Sequence, residues 1–191
     1  MPHKVESSRS SSPGGRKSAR RKRMLDECRQ PSARIFSVEI DGEKNGLGFS
    51  AAHFIAGHNP CGRLHGHNFC VKALVEGAPD GSGMVVDFFA IEGAIRDLLA
   101  DMDHKILVAR RHAVIDAGIV RFMTSDGEVG VSKNAIVLLD IRETTSELLA
   151  DYILTHVVFD SGLDFGSVTS FAVGVGESGG RIGWSKILLN R

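Results

Sequence analysis

Three cysteines are too few and too scattered for a disulfide scaffold. Cys28, Cys61 and Cys70 are odd in number and widely spaced, so free thiols in a reducing compartment are expected. No apolar run approaches the roughly 18 residues of a membrane-crossing helix. The N-terminus also lacks the charged-then-apolar pattern of a secretory leader. A soluble cytoplasmic protein is the expectation. Net charge is absent too, since 23 Lys/Arg balance 23 Asp/Glu. The balance is uneven along the chain. Residues 1–30 carry nine basic and three acidic side chains, which leaves the remainder acidic. That remainder does not offer the basic surface of a nucleic-acid-binding domain. No internal repeat is visible.

Aromatic residues are missing from residues 1–33, a stretch rich in Ser, Arg, Gly and Pro. Such a composition buries too little apolar area to offset the entropy of ordering. Residues 1–33 are therefore expected to form a disordered basic tail, and 34–191 a folded domain. Arg20-Arg21-Lys22-Arg23 could touch RNA or another polyanion; the plainer reading is a solvated charge run.

From residue 34 the pattern changes. Residues 35–40 read as a strand and Asp41-Gly42 as a turn. Residues 47–53 form a second extended segment, and 67–77 alternate as a third. Asn59-Pro60 and Gly62 mark the loop between them. The spacing of Ile91, Ile95, Leu98 and Leu99 predicts a helix over 89–100. Residues 108–135 are interrupted by glycine and ambiguous. Residues 136–139 read as a short buried strand. Thr144 or Thr145 caps a helix running to about His156, with Leu148, Leu149, Ile153 and Leu154 inward. Residues 168–175 and 182–189 suit a closing hairpin. The order implies an α+β fold with an antiparallel sheet. Its open edges could be managed by closing a barrel with neighbouring subunits.

The chemistry concentrates between residues 49 and 69. Phe49-Ser50-Ala51-Ala52-His53 precedes Cys61-Gly62-Arg63-Leu64-His65-Gly66-His67-Asn68-Phe69. Side chains two apart on a strand share a face, so His65 and His67 project together and His53 can supply a third imidazole. Three imidazoles plus an open position make a catalytic zinc site, whereas structural sites are closed by four ligands. His58, in the turn-rich loop, is the weaker ligand candidate. Cys61 is either a thiolate that serves as base or nucleophile, or a fourth ligand of a closed Cys-His3 module. Cys70 reads as core. Asp103-His104 suits an acid–base pair, or else a His at a helix end. Glu177, at the end of an apolar strand, could grip a guanidine-like edge with two hydrogen bonds, or lie exposed in a hairpin.

Taken in order, these segments resemble the 6-pyruvoyltetrahydropterin synthase / 6-carboxytetrahydropterin synthase family. Gly83-Met84-Val85-Val86-Asp87-Phe88, Met102-Asp103-His104, Thr145-Ser146-Glu147 and Val175-Gly176-Glu177 complete the set. The resemblance implies a T-fold (tunnelling fold). In it, an antiparallel four-stranded sheet carries two helices on one face, and subunits join into an oligomeric barrel, usually a homohexamer with active sites between subunits. It implies zinc on His53, His65 and His67, and catalysis by Cys61, Asp103 and His104. It also implies a pterin pocket of Glu177, Thr145, Ser146 and Glu147. The Cys-Gly-Arg-Leu-His form is similar to the 6-carboxy-5,6,7,8-tetrahydropterin branch. That branch converts 7,8-dihydroneopterin triphosphate to 6-carboxytetrahydropterin, releasing acetaldehyde and triphosphate, on the route to queuosine or archaeosine in tRNA. A 6-pyruvoyltetrahydropterin synthase would release triphosphate without acetaldehyde. The non-enzymatic alternative is the closed zinc module with an RNA-binding tail. Lys105, Arg63, Arg110 and Arg111 are unranked candidates for the triphosphate. The connection over 108–140 is longer than in compact members, Met102 stands for the usual Leu, and the basic tail lies outside the family core.

Overall fold

The computed structural model describes residues 34–178 and 180–189. The expectations for the tail, including Arg20–Arg23 and Cys28, lie outside the described residues. Strand β1 (Phe36–Asp41) alternates its side chains and runs into a one-turn helix, α1 (Gly42–Asn45). Asp41 caps that turn by accepting from the Glu43 N–H at 3.2 Å, and Gly46 ends it in the left-handed region at φ 64°. Strand β2 (Gly48–His53) then resumes the same direction. Both pair antiparallel with one long strand, β3 (His65–Gly77), β1 against its second half and β2 against its first. β1 and β2 thus behave as one strand interrupted by a helical turn. The turn expected at Asp41-Gly42 is this insertion.

Helix α2 (Phe88–Met102) begins where the Asp87 carboxylate accepts from the Phe89 N–H at 2.9 Å. Ile91, Ile95, Leu99 and Met102 recur on its buried face. Strand β4 (Lys105–Ala109) follows, and β8 (Ile136–Leu139) pairs beside it. Helix α3 (Ser146–Phe159) starts at Thr145, whose hydroxyl accepts from the Leu148 N–H at 3.4 Å. Strands β9 (Val168–Ser178) and β10 (Arg181–Leu188) close the chain as a hairpin, with β9 against β3.

The α+β class holds, and the antiparallel ribbons β10, β9, β3 and β1/β2 are the four expected. The sheet itself is larger and mixed. It has seven strands, because β4 adds to β2 in parallel and β8 adds to β4 in parallel. β4 was not foreseen, because its residues do not alternate. Leu107 faces the main core, whereas Val108 faces a second cluster of Phe54, Val120, Phe122 and Ile136. A strand covered on both faces reads as a continuous apolar run.

That second cluster lies under a small sheet made by the segment left ambiguous. Its strands are β5 (Val114–Asp116), β6 (Ile119–Thr124) and β7 (Gly127–Ser132). β6 alternates cleanly, with Val120, Phe122 and Thr124 inward. The glycines of β7 hid its strand character. The main core joins Val71, Ala73 and Val75 of β3 to Phe171, Val173 and Val175 of β9, beneath α2 and α3. Among the described residues no helix is long and apolar enough to cross a membrane.

Ile95 is fully buried and Phe89 is 80% exposed. Replacing Ile95 by Ala should cost about 2–5 kcal/mol of unfolding free energy. Phe89→Ala should change it by no more than about 0.5 kcal/mol. Urea titration of the two variants checks the assignment of the α2 faces.

Candidate active site

The last residue of β2 and the first of β3 are cross-strand partners, and both are histidines: His53 opposite His65. His67, two residues on, returns to the same face opposite Ala51. The three rings stand with centroids 4.5 Å (His53–His65), 5.3 Å (His53–His67) and 5.0 Å (His65–His67) apart. One ligand atom from each lies within 4.8 Å of the others.

The ring orientations are set by main-chain carbonyls. His53 Nδ1 lies 2.8 Å from the Thr144 oxygen, and His65 Nδ1 lies 2.8 Å from the Arg63 oxygen. A carbonyl only accepts, so in each ring Nδ1 carries a hydrogen, and in the neutral ring Nε2 is the nitrogen with the lone pair. Thr144 is itself held, its hydroxyl donating to the Phe54 carbonyl at 2.7 Å. His53 Nε2 and His67 Nε2 are buried without a hydrogen-bond partner. Burial pushes the His53 pKa below its ordinary value, against the opposing effect of the Thr144 bond. Neutral rings with converging lone pairs are what a bound cation needs. The three histidines could hold a metal ion with one coordination position free.

Glu177 sits over the opening of this cluster. Its carboxylate oxygens lie 4.0 Å from His53 Nε2 and 3.8 Å from His67 Nε2. Ser146 Oγ donates to Glu177 Oε1 at 3.2 Å. Thr145, Ser146, Glu147 and Glu177 line one cavity of about 410 Å3 together with His67 and Arg181. Its wall depends on Gly183, where a Cβ would fall 2.6 Å from the Glu147 nitrogen. Strand β10 can therefore lie close against the N-terminal turn of α3.

Cys61 is half-buried in the loop between β2 and β3. Its carbonyl accepts from the Ile55 N–H at 2.7 Å, and the next N–H, of Gly62, reaches the His58 carbonyl at 2.6 Å. Its sulfur is not among the ligand atoms that converge with the three imidazoles. His58 lines the Glu177 cavity and is likewise outside the cluster.

Asp103 and His104 do touch. Asp103 Oδ1 accepts from the Ser50 N–H at 2.8 Å, and Oδ2 accepts from His104 Nδ1 at 2.7 Å. The first of these bonds, helped by the second, holds the Asp103 carboxyl below the usual range. His104 adopts φ 57° and donates its backbone N–H to the Ser50 carbonyl at 2.7 Å. It lines a second cavity, of about 540 Å3, which His67 also borders, with Ser50, Ala52, Gly66, Asn68 and Lys105. On β2 and β3 these even-numbered side chains project opposite to His53, His65 and His67. Within one chain, His104 therefore lines the side of the sheet opposite to the imidazole side chains, and His67 borders both cavities.

The basic candidates are differently engaged. Arg63 pairs with Asp126 at 3.4 Å, Arg110 with Asp140 at 2.6 Å, and Lys105 Nζ donates to the Asn134 carbonyl at 2.8 Å. Arg181, which no sequence signal marked, is the arginine that lines the Glu177 cavity. Thr144 and Arg63 were also missed as orienting groups. They act through backbone oxygens, which carry no residue-type signature.

Residues 44–179 match the family model described as 6-pyruvoyl tetrahydropterin synthase. The chain belongs to this family. A Methanocaldococcus jannaschii protein that carries the name 6-carboxy-5,6,7,8-tetrahydropterin synthase is 28% identical over 150 residues, 75% of this chain and 92% of that protein. A Pyrococcus abyssi protein of the same name is 28% identical over 116 residues, 60% of this chain and 71% of the relative. The fold matches the crystal structure of a 6-pyruvoyl tetrahydropterin synthase from Plasmodium vivax with a TM-score of 0.73 at 24% identity, covering 82% of this chain and 99% of that one. The Plasmodium falciparum counterpart gives 0.71 at 20%, covering 81% and 99%.

Replacing His65 by Ala should lower zinc content from one ion per chain to near zero while the fold persists. Metal analysis beside circular dichroism checks this, and a variant that retains full zinc would remove His65 from the ligand set.

Proposed function

We propose that this chain is a zinc-dependent 6-carboxy-5,6,7,8-tetrahydropterin synthase. It converts 7,8-dihydroneopterin triphosphate to 6-carboxytetrahydropterin, with release of acetaldehyde and triphosphate. The product feeds 7-deazaguanine synthesis for tRNA, and the enzyme works in the cytoplasm. The observation that carries this reading is the approach of Glu177 to the histidine cluster, 4.0 Å from His53 Nε2 and 3.8 Å from His67 Nε2. It brings a cation site within one small-molecule length of a carboxylate suited to a pterin edge. The names of the archaeal relatives support the carboxy branch.

His53, His65 and His67 would hold the zinc, His53 and His65 through the Nε2 atoms left by their carbonyl bonds to Nδ1 and His67 through its buried, unpartnered Nε2. When bound, zinc supplies Lewis acidity toward the oxygens of the substrate side chain. Glu177 accepts paired N–H hydrogen bonds from the aminopyrimidine edge of the pterin, and the Ser146 hydroxyl fixes that carboxylate in place. Thr145 and Glu147 wall the ring. Cys61, as thiolate, removes a carbon-bound proton from the substrate side chain. His104, oriented by Asp103, exchanges a proton on the other side.

The dyad reaches the cavity from a neighbouring subunit. Its position across the sheet from its own chain's imidazole side chains supports an assembly in which each site is completed in trans. A homohexamer of two trimers meets that need. Arg181, at the cavity rim, is the cation best located for the triphosphate.

A second reading, 6-pyruvoyltetrahydropterin formation, draws on the family model's own description. Incubation with dihydroneopterin triphosphate separates the two. Acetaldehyde and a carboxypterin mass support the first, whereas triphosphate without acetaldehyde supports the second. Cys61→Ala should lower turnover by about 10²–10⁴-fold and keep one zinc per chain; loss of zinc would point to the closed Cys-His3 module. Glu177→Ala should weaken pterin binding by roughly 10- to 100-fold, as removal of a charged hydrogen-bond acceptor does. Unchanged affinity in calorimetry would remove Glu177 from the pocket.

A further inference from the structure

The small sheet β5-β6-β7 contributes no residue to the histidine cluster, yet it reaches the loop that carries Cys61 at both ends. At the far end, the tip of the β6–β7 hairpin sits against Gly62, the residue after Cys61. The Ser125 N–H donates to the Gly62 carbonyl at 2.8 Å. The approach is so close that a Cβ on Gly62 would lie 2.2 Å from Ser125 Oγ. Arg63 meets Asp126 at 3.4 Å alongside, an exposed pair that adds little by itself.

At the near end, Phe54 follows His53 directly. Its ring stacks on Phe122 of β6 with centroids 5.2 Å apart and planes 10° off parallel, and both rings are 2% exposed. Two residues on, the Ala56 N–H donates to Glu143 Oε2 at 3.2 Å. The other oxygen of that carboxylate is held by His112 Nε2 at 2.7 Å, from the segment that leads into β5. Between these anchors the loop has four internal backbone hydrogen bonds, from Ile55 to Cys61, His58 to Ile55, Gly62 to His58 and Arg63 to Pro60, and the β5-β6-β7 contacts fix its two ends. A connection of this length would otherwise sample many conformations.

We propose that the β5-β6-β7 sheet is a positioning element that fixes the loop carrying the Cys61 thiol. This rests on the catalytic role proposed for Cys61. Phe122 and Thr124 are its positioning residues, acting through Phe54 and Gly62. Thr124 shapes the tip, because its Oγ1 donates to the Gly127 carbonyl at 2.9 Å and accepts from the Asp126 N–H at 3.2 Å. Removing the Thr124 support frees the loop while leaving the three imidazoles and Glu177 where they are, whereas a change at Phe122 also reaches Phe54, whose carbonyl holds Thr144 beside His53. The consequence is a loss in kcat rather than in substrate affinity.

The test compares Thr124→Val, Thr124→Ser and Phe122→Leu with the wild type, as full-length zinc-loaded protein. Thr124→Val keeps the volume of the buried side chain, so it is the variant expected to fold even if Phe122→Leu does not. Three quantities are read: zinc per chain, kcat and KM for acetaldehyde release, and the rate at which iodoacetamide labels Cys61. Labelling of Cys70, on β3, serves as the internal reference. Thr124→Val should keep its zinc and its KM, lose roughly tenfold to a hundredfold in kcat, and label severalfold faster at Cys61 relative to Cys70. Thr124→Ser, which restores the hydroxyl, should recover both. Folded, zinc-loaded variants with wild-type kcat and Cys61 labelling would overturn the proposal. So would a fall in melting temperature unaccompanied by any change at Cys61. Labelling needs no substrate. A faster-labelling Thr124→Val alongside a fully active Cys61→Ala would uphold the positioning of the loop and defeat the catalytic assignment instead.

Discussion

The site depends on the register of β2 against β3. His53 faces His65 because Gly48 pairs with Cys70 and each following residue keeps step. A slip of one residue would turn one strand's ligand to the opposite face. The register is held by close main-chain contacts. A Cβ on Gly42 would lie 1.9 Å from the Val71 oxygen, and one on Gly48 would lie 2.4 Å from the Phe69 oxygen. Only glycine lets α1 and the start of β2 press that closely on β3. The Val71 N–H then reaches the Leu47 carbonyl at 2.9 Å and locks the step between β1 and β2.

With the register set, the two sides of the sheet acquire different chemistry. One carries the three imidazoles, with the Nδ1 atoms of His53 and His65 held by the carbonyls of Thr144 and Arg63 and with Glu177 beside them. The other carries the Asp103-His104 pair, tethered to Ser50 through both backbone groups of that residue. Within one chain these two groups stay apart, and the proposed mechanism joins them through a neighbouring subunit. The apolar core beneath α2 and α3 gives the sheet the stiffness to hold both halves at fixed positions.

The segment between β4 and β8 has a different part in the fold. It turns the underside of β4 into a second core and leans its hairpin tip on Gly62. In the proposed mechanism the Cys61 loop gains from this rigid neighbour, because a group that transfers a proton has to be held close to one position. The aromatic stack of Phe54 on Phe122 links this support to the residue next to a histidine of the cluster.

Much of this was legible from residue types alone. The histidine set follows from i, i+2 spacing on a strand, α2 from the recurrence of Ile91, Ile95 and Leu99, and the α3 start from Thr145. These are local signals, because side-chain direction repeats with backbone geometry and caps act within one turn. Other features had no local signal. β4 hides because two cores cover its faces, and β7 because its glycines depress strand propensity. Arg181 enters the cavity only once the β9–β10 hairpin has folded. Carbonyl bonds to imidazoles leave no trace in residue identity. The sequence by itself determined which groups could do chemistry and in what family of arrangements. Only the tertiary structure decided that Glu177 comes within 4.0 Å of the His53 and His67 imidazoles while His104 lines a cavity that Glu177 does not. Strand register and sheet sidedness arise from long-range pairing, and no stretch of sequence contains that pairing.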